Sequence, residues 1–185
     1  MDRNGSPRPW YCLAAIEFLE KMDFSTDSIL EFGSGNSTLW WADRASSVVA
    51  LESDKGWFEY VRSSLSNKKN AEIYLETDLD QMALLPASFG RVFDVVVIDG
   101  GDRAKCAASA VKVVSDDGLI IFDNSEGNWG PTATFPVIDL LDEQGWMRVD
   151  FCGYAPGVLS TSTTSLYFKN GQRFRHLAPP VRGGK

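Results

Sequence analysis

The sequence predicts an α/β fold in which a mostly parallel sheet carries helices on its faces. Short apolar runs of strand length alternate five times with stretches of helical periodicity, and this alternation is typical of right-handed βαβ units. A glycine-rich turn follows the first run, and an acid stands at or just after the end of each of the first five strands. The carboxyl ends of parallel strands share one edge of a sheet, so we expect a ligand site there.

Seven strands and five helices account for most of the chain. Strands are predicted over 28–32, 47–51, 71–75, 93–98, 119–122, 146–151 and 165–168. Helices are predicted over about 10–22, from the glycine turn to about 45, and over about 55–66, 102–115 and 132–144. The run 93–98 is apolar except at Asp94, which indicates a central strand buried on both faces. The segment 153–164 is too short for a crossover helix, so the last two strands should pair antiparallel as a hairpin at the sheet edge.

Length and composition indicate one globular domain. The chain has 185 residues, of which 44% are hydrophobic and 23% charged, and such a chain can bury a substantial core. We expect a single domain over 1–169 with a loose N-terminal arm at 1–9. The tail 170–185 is basic and is expected to be flexible.

The charge and the cysteines exclude several classes of protein. The net charge of −7 argues against a large nucleic-acid surface. No apolar run approaches the length of a membrane span, and no secretory signal opens the sequence. The three cysteines are far apart and lack the spacing of metal ligands: Cys12, Cys106 and Cys152. They indicate reduced thiols in a cytoplasmic protein, and a homodimer remains open.

The turn after the first strand is suited to holding a ligand. Gly33 allows the chain to turn tightly, and Gly35 lets a ligand approach backbone N–H groups. Asn36, Ser37 or Thr38 can cap the helix that follows. A ligand at this turn would lie at the positive end of that helix.

Five acids are expected on the edge where this turn lies: Glu31, Glu52, Asp78, Asp99 and Asp123. Any one of them could be a helix cap, but half-buried acids are costly unless something pairs with them. Glu52 lies about 20 residues beyond Gly33, where an acid reaches the ribose hydroxyls of a nucleoside. The nicotinamide fingerprint fails, because Thr38 stands where its third glycine should be. Many acids with no basic residue in the turn favour a cationic nucleoside without phosphate, and S-adenosylmethionine matches this description.

Four motifs extend this match to a family. The order E-F-G-S-G-N-S, A-L-E-S-D, F-D-V-V-V-I-D-G and G-L-I-I-F-D-N resembles the motif series of the class I S-adenosylmethionine-dependent methyltransferases. The resemblance covers about residues 28–168. It implies a Rossmann-like three-layer sandwich with a seven-stranded sheet in the order 3-2-1-4-5-7-6, in which strand 7 is antiparallel.

The expected cofactor-binding residues are Glu31, Gly33, Gly35, Ser37, Glu52, Asp78 and Asp99. The resemblance implies that Glu31 and the two glycines hold the methionine part and that Glu52 takes the ribose hydroxyls. Asp78 would take the adenine amino group, although Glu76 or Asp80 could do the same. Ser37 stands where the family has its third glycine.

A metal site is also implied, with one departure from the pattern. Asp99 with Asp123 and Asn124 is similar to the Mg²⁺ site of the catechol O-methyltransferase group, and hard oxygen ligands suit that ion. That group has a lysine three residues past the first acid, where this chain has Asp102, and Lys105 lies a helical turn further on. The alternative is that the acids cap turns and Asn124 orients substrate. The candidate catalytic bases are Asp102, Asp123 and Lys105.

The expected function is methyl transfer to a small hydroxylated acceptor, more to oxygen than to nitrogen. Residues 99–102 read D-G-G-D, whereas the superfamily's nucleic-acid amino-methylating enzymes carry an Asn/Asp-Pro-Pro-aromatic motif there. We expect acceptor contacts from Trp10, Tyr11, 125–129 and 160–164.

Two alternatives to methyl transfer remain open. An aminopropyltransferase would need further acids on this edge for a polyamine, and Asp99, Asp102 and Asp123 could supply them. A catalytically silent, cofactor-binding partner subunit is the other, since the short chain has no inserted lid over the substrate.

Overall fold

The computed structural model describes residues 5–127, 131–157, 159–175 and 177. Its strands are β1 Ser28–Phe32, β2 Ser47–Glu52, β3 Ala71–Leu75, β4 Phe93–Ile98, β5 Val114–Asp123, β6 Met147–Tyr154 and β7 Thr161–Phe168. They form one sheet in the order β3-β2-β1-β4-β5-β7-β6. β7 pairs antiparallel with both β5 and β6, and the other pairs are parallel. The predicted strand order and the terminal hairpin are therefore confirmed.

The helices are α1 Leu13–Leu19, α2 Asn36–Ala42, α3 Lys55–Ser64, α4 Leu79–Leu84, α5 Arg103–Val113 and α6 Pro131–Glu143. Two 3₁₀ segments cover Leu85–Phe89 and Gln172–Phe174. α4 and the 3₁₀ segment after it were not predicted, because six residues are too few to show a helical period. The one sequence signal for α4 was Asp78, a residue type that often caps helices. In the structure its carboxylate accepts the backbone N–H groups of Asp80 and Gln81 and so caps α4.

Both faces of the sheet are buried, as the apolar run 93–98 indicated. Leu30, Val96 and Ile98 pack on one face with α5 and α6. Ile29 and Val95 pack on the other face with α1, α2 and α3. From Val95 to Ile98, successive residues of β4 therefore alternate between the two halves of the core, and this explains why that part of the strand is apolar at every position.

The start of β5 differs from the prediction. A turn was expected at 117–118, but β5 begins at Val114 and contains an irregularity there, since Phe93 pairs with Val114 whereas Val95 pairs with Leu119. A Cβ atom on Gly118 would lie 2.4 Å from a methyl group of Val114. The glycine therefore allows a bulge inside the strand rather than ending it.

The beginning of the segment 170–185 packs against the domain. The Arg173 guanidinium lies 2.6 Å from the carboxylate of Asp27. The ring of Phe174 contacts that of Phe168, with centroids 4.6 Å apart. This places Gln172–Phe174 beside the buried side of β7, while 176 and 178–185 lie outside the described residues.

The turns after β1 and β4 touch backbone to backbone. Gly33 has a φ of +96°, and a Cβ atom there would lie 3.2 Å from the carbonyl of Asp99. A Cβ atom on Gly100 would lie 2.8 Å from the Cα of Gly33. The two central strands can therefore end side by side only because neither glycine carries a side chain.

Because of this close approach, we expect Gly33→Ala to lower the free energy of unfolding more than Gly90→Ala does. Gly33→Ala adds crowding to a left-handed φ, and we expect it to lower the free energy of unfolding by about 1–3 kcal/mol. Gly90 also has a positive φ, +61°, but no atom lies within 4 Å of its added Cβ, so Gly90→Ala carries the backbone strain alone. Urea unfolding of both variants measures the difference. Equal losses would contradict the contact between the two turns.

Candidate functional site

A cavity of about 260 Å³ lies at the carboxyl edge of the sheet. One wall is the turn 34–37 together with Trp57 from α3. The other wall comes from the ends of β4 and β5, the start of α5 and the segment before α1: Asp99, Arg103, Asn124 and Trp10. The cavity therefore spans the strands on either side of the glycine turn, where the topology predicts a ligand.

Glu31 lies beneath the turn and holds it in place. Its side chain is completely buried, and its two oxygens accept hydrogen bonds from the hydroxyls of Thr38 at 2.5 Å and Tyr11 at 3.4 Å. The Thr38 hydroxyl also accepts the N–H of Gly35 at 2.9 Å, so Thr38 is the capping residue among the three candidates. Glu31 is not on the cavity wall, and its effect on a ligand there is electrostatic and structural.

The acids at this edge raise one another's pKa values. Burial, opposed by three hydrogen bonds, raises the pKa of Glu31 to about 7. Burial and then the nearby charge of Glu31 raise the pKa of Asp99 to about 7. Burial and the charge of Asp99 raise the pKa of Asp123 well above its usual range. A cation in the cavity would relieve this repulsion, so the site favours a positively charged ligand.

Glu52 is held with its carboxylate beside the turn. It is 6% exposed, and one oxygen accepts the backbone N–H groups of Ser53 and Asp54, both at 2.8 Å. The other oxygen accepts the Ser34 hydroxyl at 2.6 Å. This carboxylate at the end of β2 is therefore fixed in position.

Trp57 covers the turn from the α3 side. Its indole N–H donates to the carbonyl of Ser34, and its ring stacks on Tyr60 with centroids 5.2 Å apart. Gly35 has an extended φ of 168°, and a Cβ atom there would meet Trp57 at an ordinary 3.6 Å. The fold therefore does not need glycine at 35, whereas a ligand lying against the turn would.

The predicted magnesium site is not supported. The Nη2 atom of Arg103 lies 3.4 Å from Oδ1 of Asn124 and 3.9 Å from Oδ1 of Asp99. The Asp123 carboxylate is 2% exposed and accepts the Thr164 hydroxyl at 2.5 Å. Within the ranges that the structure describes, no three His, Cys, Asp or Glu side chains converge on a point. A built-in cation therefore bridges two of the three expected ligands, and a second cation does not fit beside it.

Asn124 lines the cavity and has a strained backbone. Its φ is +56°, and it is the one non-glycine residue with a positive φ in the described ranges. Its amide donates to the hydroxyl of Ser162 at 3.1 Å. Such strained backbone is often found at ligand sites.

Three other predicted site residues serve helix ends. The Asp78 carboxylate caps α4, and that of Asp102 accepts the N–H of Lys105 at 3.3 Å and caps α5. The Lys105 ammonium pairs with Asp80 and Asp102. A hydrogen bond to Asp80 raises the pKa of Lys105, which opposes a role as a base. None of these three side chains lines the described cavity.

Only some of the residues expected to contact the acceptor line the cavity. Trp10 lines the cavity and is 57% exposed, whereas Tyr11 is buried against Glu31. The Ser125 hydroxyl pairs with that of Ser165 at 2.6 Å and is turned away toward β7. Trp129 lies outside the described residues.

The sequence alone did not identify the residues that hold the glycine turn and contact the acids around it. Thr38 was proposed only as a cap, and Ser34 and Trp57 gave no signal beyond their place near the motifs. Arg103 had a usable signal, since a basic residue four positions past Asp99 can reach back over one helical turn. The sequence does not show that its side chain turns toward Asn124.

Comparisons with known proteins bear on the family and the fold of the chain. The family model "Methyltransferase domain" matches residues 30–122. Cofactor-bound Rv0187 from MTB is 23% identical with a TM-score of 0.69, over 90% of this chain and 84% of its own. Precorrin-6y C5,15-methyltransferase from Geobacter metallireducens GS-15 is 15% identical with a TM-score of 0.61, over 83% of this chain and 86% of its own.

A spermidine synthase from Thermotoga maritima also has this fold, at 16% identity and a TM-score of 0.61. The match covers 84% of this chain but only 57% of that protein. These structural similarities show the fold alone. No curated protein matches the chain. In the described ranges, no helix is both long and apolar enough to cross a membrane.

The raised pKa of Glu31 predicts a pH-dependent stability. The folded protein binds this proton more tightly than the unfolded chain, whose pKa is about 4.5. The contribution to folding is therefore full below that value and is lost as the pH rises through about 7. Glu31→Gln removes the titration, so the stability of the variant relative to wild type should rise between about pH 5 and about pH 8. Urea unfolding at both pH values measures this, with the exposed Glu59→Gln as a control. A difference that does not change with pH would show that Glu31 is not the titrating group.

Proposed function

The chain belongs to the methyltransferase-domain family, within the class I S-adenosylmethionine-dependent methyltransferases, and we propose that it methylates an oxygen atom of a small hydroxylated molecule. The observation that carries the proposal is the cavity between the glycine turn and the ends of β4 and β5. The buried acids in and beside it, Asp99, Glu31 and Glu52, suit a cationic nucleoside, and its volume of about 260 Å³ favours a small acceptor.

The residues of the turn fit S-adenosylmethionine. The Oδ1 atom of Asn36 is buried at the cavity and has no hydrogen-bond partner among the described residues. An ammonium or hydroxyl donor would satisfy this oxygen. Gly35 leaves space that a side chain would fill, and Glu52 presents a fixed carboxylate for the ribose hydroxyls. These features support cofactor binding at the turn, with the ribose toward β2 and the methionine part toward β4.

The chain itself must align the acceptor and remove its proton. S-adenosylmethionine would supply a methyl group on a sulfonium, and in-line attack of an acceptor oxygen on the methyl carbon would release the thioether. Asp99 lines the cavity and has a pKa of about 7, which suits a base near neutral pH. We assign proton acceptance to Asp99 in preference to Asp102 and Lys105, whose side chains hold the start of α5. Asn124, beside it, would orient the acceptor oxygen.

Aminopropyl transfer is less well supported by the cavity. A polyamine would need open carboxylates on the acceptor wall, but Asp123 is buried and Asp102 caps a helix. Arg103 would repel a cationic acceptor on the same wall.

Turnover with S-adenosylmethionine but not with its decarboxylated form would support methyl transfer. Cofactor binding without turnover on any hydroxylated or amine acceptor would support the silent partner subunit.

Calorimetric titration with S-adenosylhomocysteine tests the cofactor site. Glu52→Gln replaces a charged acceptor by a neutral one, and we expect the dissociation constant to rise about ten-fold or more. Gly35→Ala should weaken binding to a similar degree without lowering the free energy of unfolding, because the fold has room for the Cβ. The exposed Glu72→Gln should bind as wild type does.

The two possible failures of this titration have different meanings. If wild type does not bind the thioether, the methyltransferase proposal fails. If wild type binds and Glu52→Gln binds equally well, the cofactor lies elsewhere on the edge.

A further inference from the structure

Arg103 places a positive charge on the wall of the cavity away from the glycine turn. It is the first residue of α5, and its side chain is 12% exposed. Its Nη2 atom lies 3.5 Å from the carbonyl oxygen of Asp99 and 3.4 Å from Oδ1 of Asn124. The guanidinium therefore lies between the ends of β4 and β5, on the side where the acceptor must bind if the turn holds the cofactor.

Among the described residues that line the cavity, Arg103 is the one cation and Asp99 the one acid. The cofactor brings its own positive charges, at the amino group and the sulfonium, so the turn side needs acids rather than a guanidinium. A cation on the opposite wall suits an anionic group on the second ligand. Both charged lining residues lie on this wall, and none of the described residues that line the turn wall is a cation.

The contacts that Arg103 makes with Asp99 and Asn124 are long for a guanidinium. The contacts to Asp99 and Asn124 measure 3.4–3.9 Å, whereas charge-assisted hydrogen bonds are about 2.7–2.9 Å long. A carboxylate matches the planar donors of a guanidinium in a two-point contact. A ligand carboxylate at short range would therefore make a closer contact with Arg103 than Asp99 and Asn124 do.

An aromatic side chain and a fixed amide complete this wall. Trp10 presents a 57% exposed indole to the cavity. The Asn124 amide is held by Ser162 at 3.1 Å. A flat acceptor would pack on Trp10 with one polar group toward Asn124 and its anion toward Arg103.

We infer that the methyl acceptor is a flat molecule that carries a carboxylate beside its hydroxyl, and that Arg103 binds this carboxylate and determines the preference for it. This inference rests on the proposed function. Arg103 is a specificity residue in this account: the carboxylate anchors the acceptor, and the hydroxyl oxygen forms the new bond to the methyl carbon as the carbon–sulfur bond breaks. The hydroxyl proton passes to Asp99.

A matched pair of probes tests the inference on protein saturated with S-adenosylhomocysteine. 3-Hydroxy-2-naphthoate and 3-hydroxy-2-naphthamide differ in charge and have similar shapes. Wild type should bind the carboxylate at least about ten-fold more tightly, the change expected from a hydrogen-bonded charge pair. Arg103→Gln should abolish the preference, and Arg103→Lys should retain part of it. Arg62→Gln, an exposed arginine on α3, should leave the preference unchanged. With S-adenosylmethionine, the loss in Arg103→Gln should appear mainly in KM for the carboxylate.

Three results would overturn the inference. Wild type could fail to prefer the carboxylate, including by binding neither probe. Arg103→Gln could retain the preference. Arg103→Gln could instead weaken S-adenosylhomocysteine binding about ten-fold, which would assign the guanidinium to the cofactor's own carboxylate. Each of these results presupposes that wild type binds the thioether, and the failure of that binding would refute the proposed function itself.

Discussion

The burial of one carboxylate, that of Glu31, is the constraint on which the site depends. An acid at the end of a central strand has no water to solvate it, and leaving it without partners would be costly. Its partners Thr38 and Tyr11 come from α2 and from the segment before α1. Thr38 in turn accepts the N–H of Gly35. The strand, the turn, the helix and the N-terminal segment are therefore held together by one group of hydrogen bonds.

The same carboxylate sets the electrostatics of the cavity. Burial and then the charge of Glu31 raise the pKa of Asp99, and burial and then the charge of Asp99 raise that of Asp123. Ionising all of these acids at once is therefore costly. Arg103 compensates part of this charge from the acceptor side. A cationic cofactor would compensate the rest from the turn side. In this account, the cofactor and Arg103 together compensate the negative charge of the acids. In the catechol O-methyltransferase group, a metal ion compensates part of that charge.

The sequence predicted the fold well because the signals for the fold are local. The apolar run 93–98 and the glycine pair after β1 identify the centre of the sheet, and the motif resemblance supplied the strand order. The site was harder to predict because its contacts are not local. The Arg103 side chain reaches Asn124 across the space between β4 and β5, and Asp102 and Asp78 turned out to hold helices. An acid after a strand predicts a ligand and a helix cap equally well, and only the structure distinguishes them.

A crystal structure of the protein with S-adenosylhomocysteine tests the central claim most directly. The account predicts the ribose hydroxyls on the Glu52 carboxylate and the homocysteine part along the turn 33–35. We also expect the amino group to lie near Asn36 and the space between Arg103 and Trp10 to be left for the acceptor. A thioether bound away from the turn 33–35, or one that fills the space beside Arg103, would contradict the division of the cavity on which the account rests.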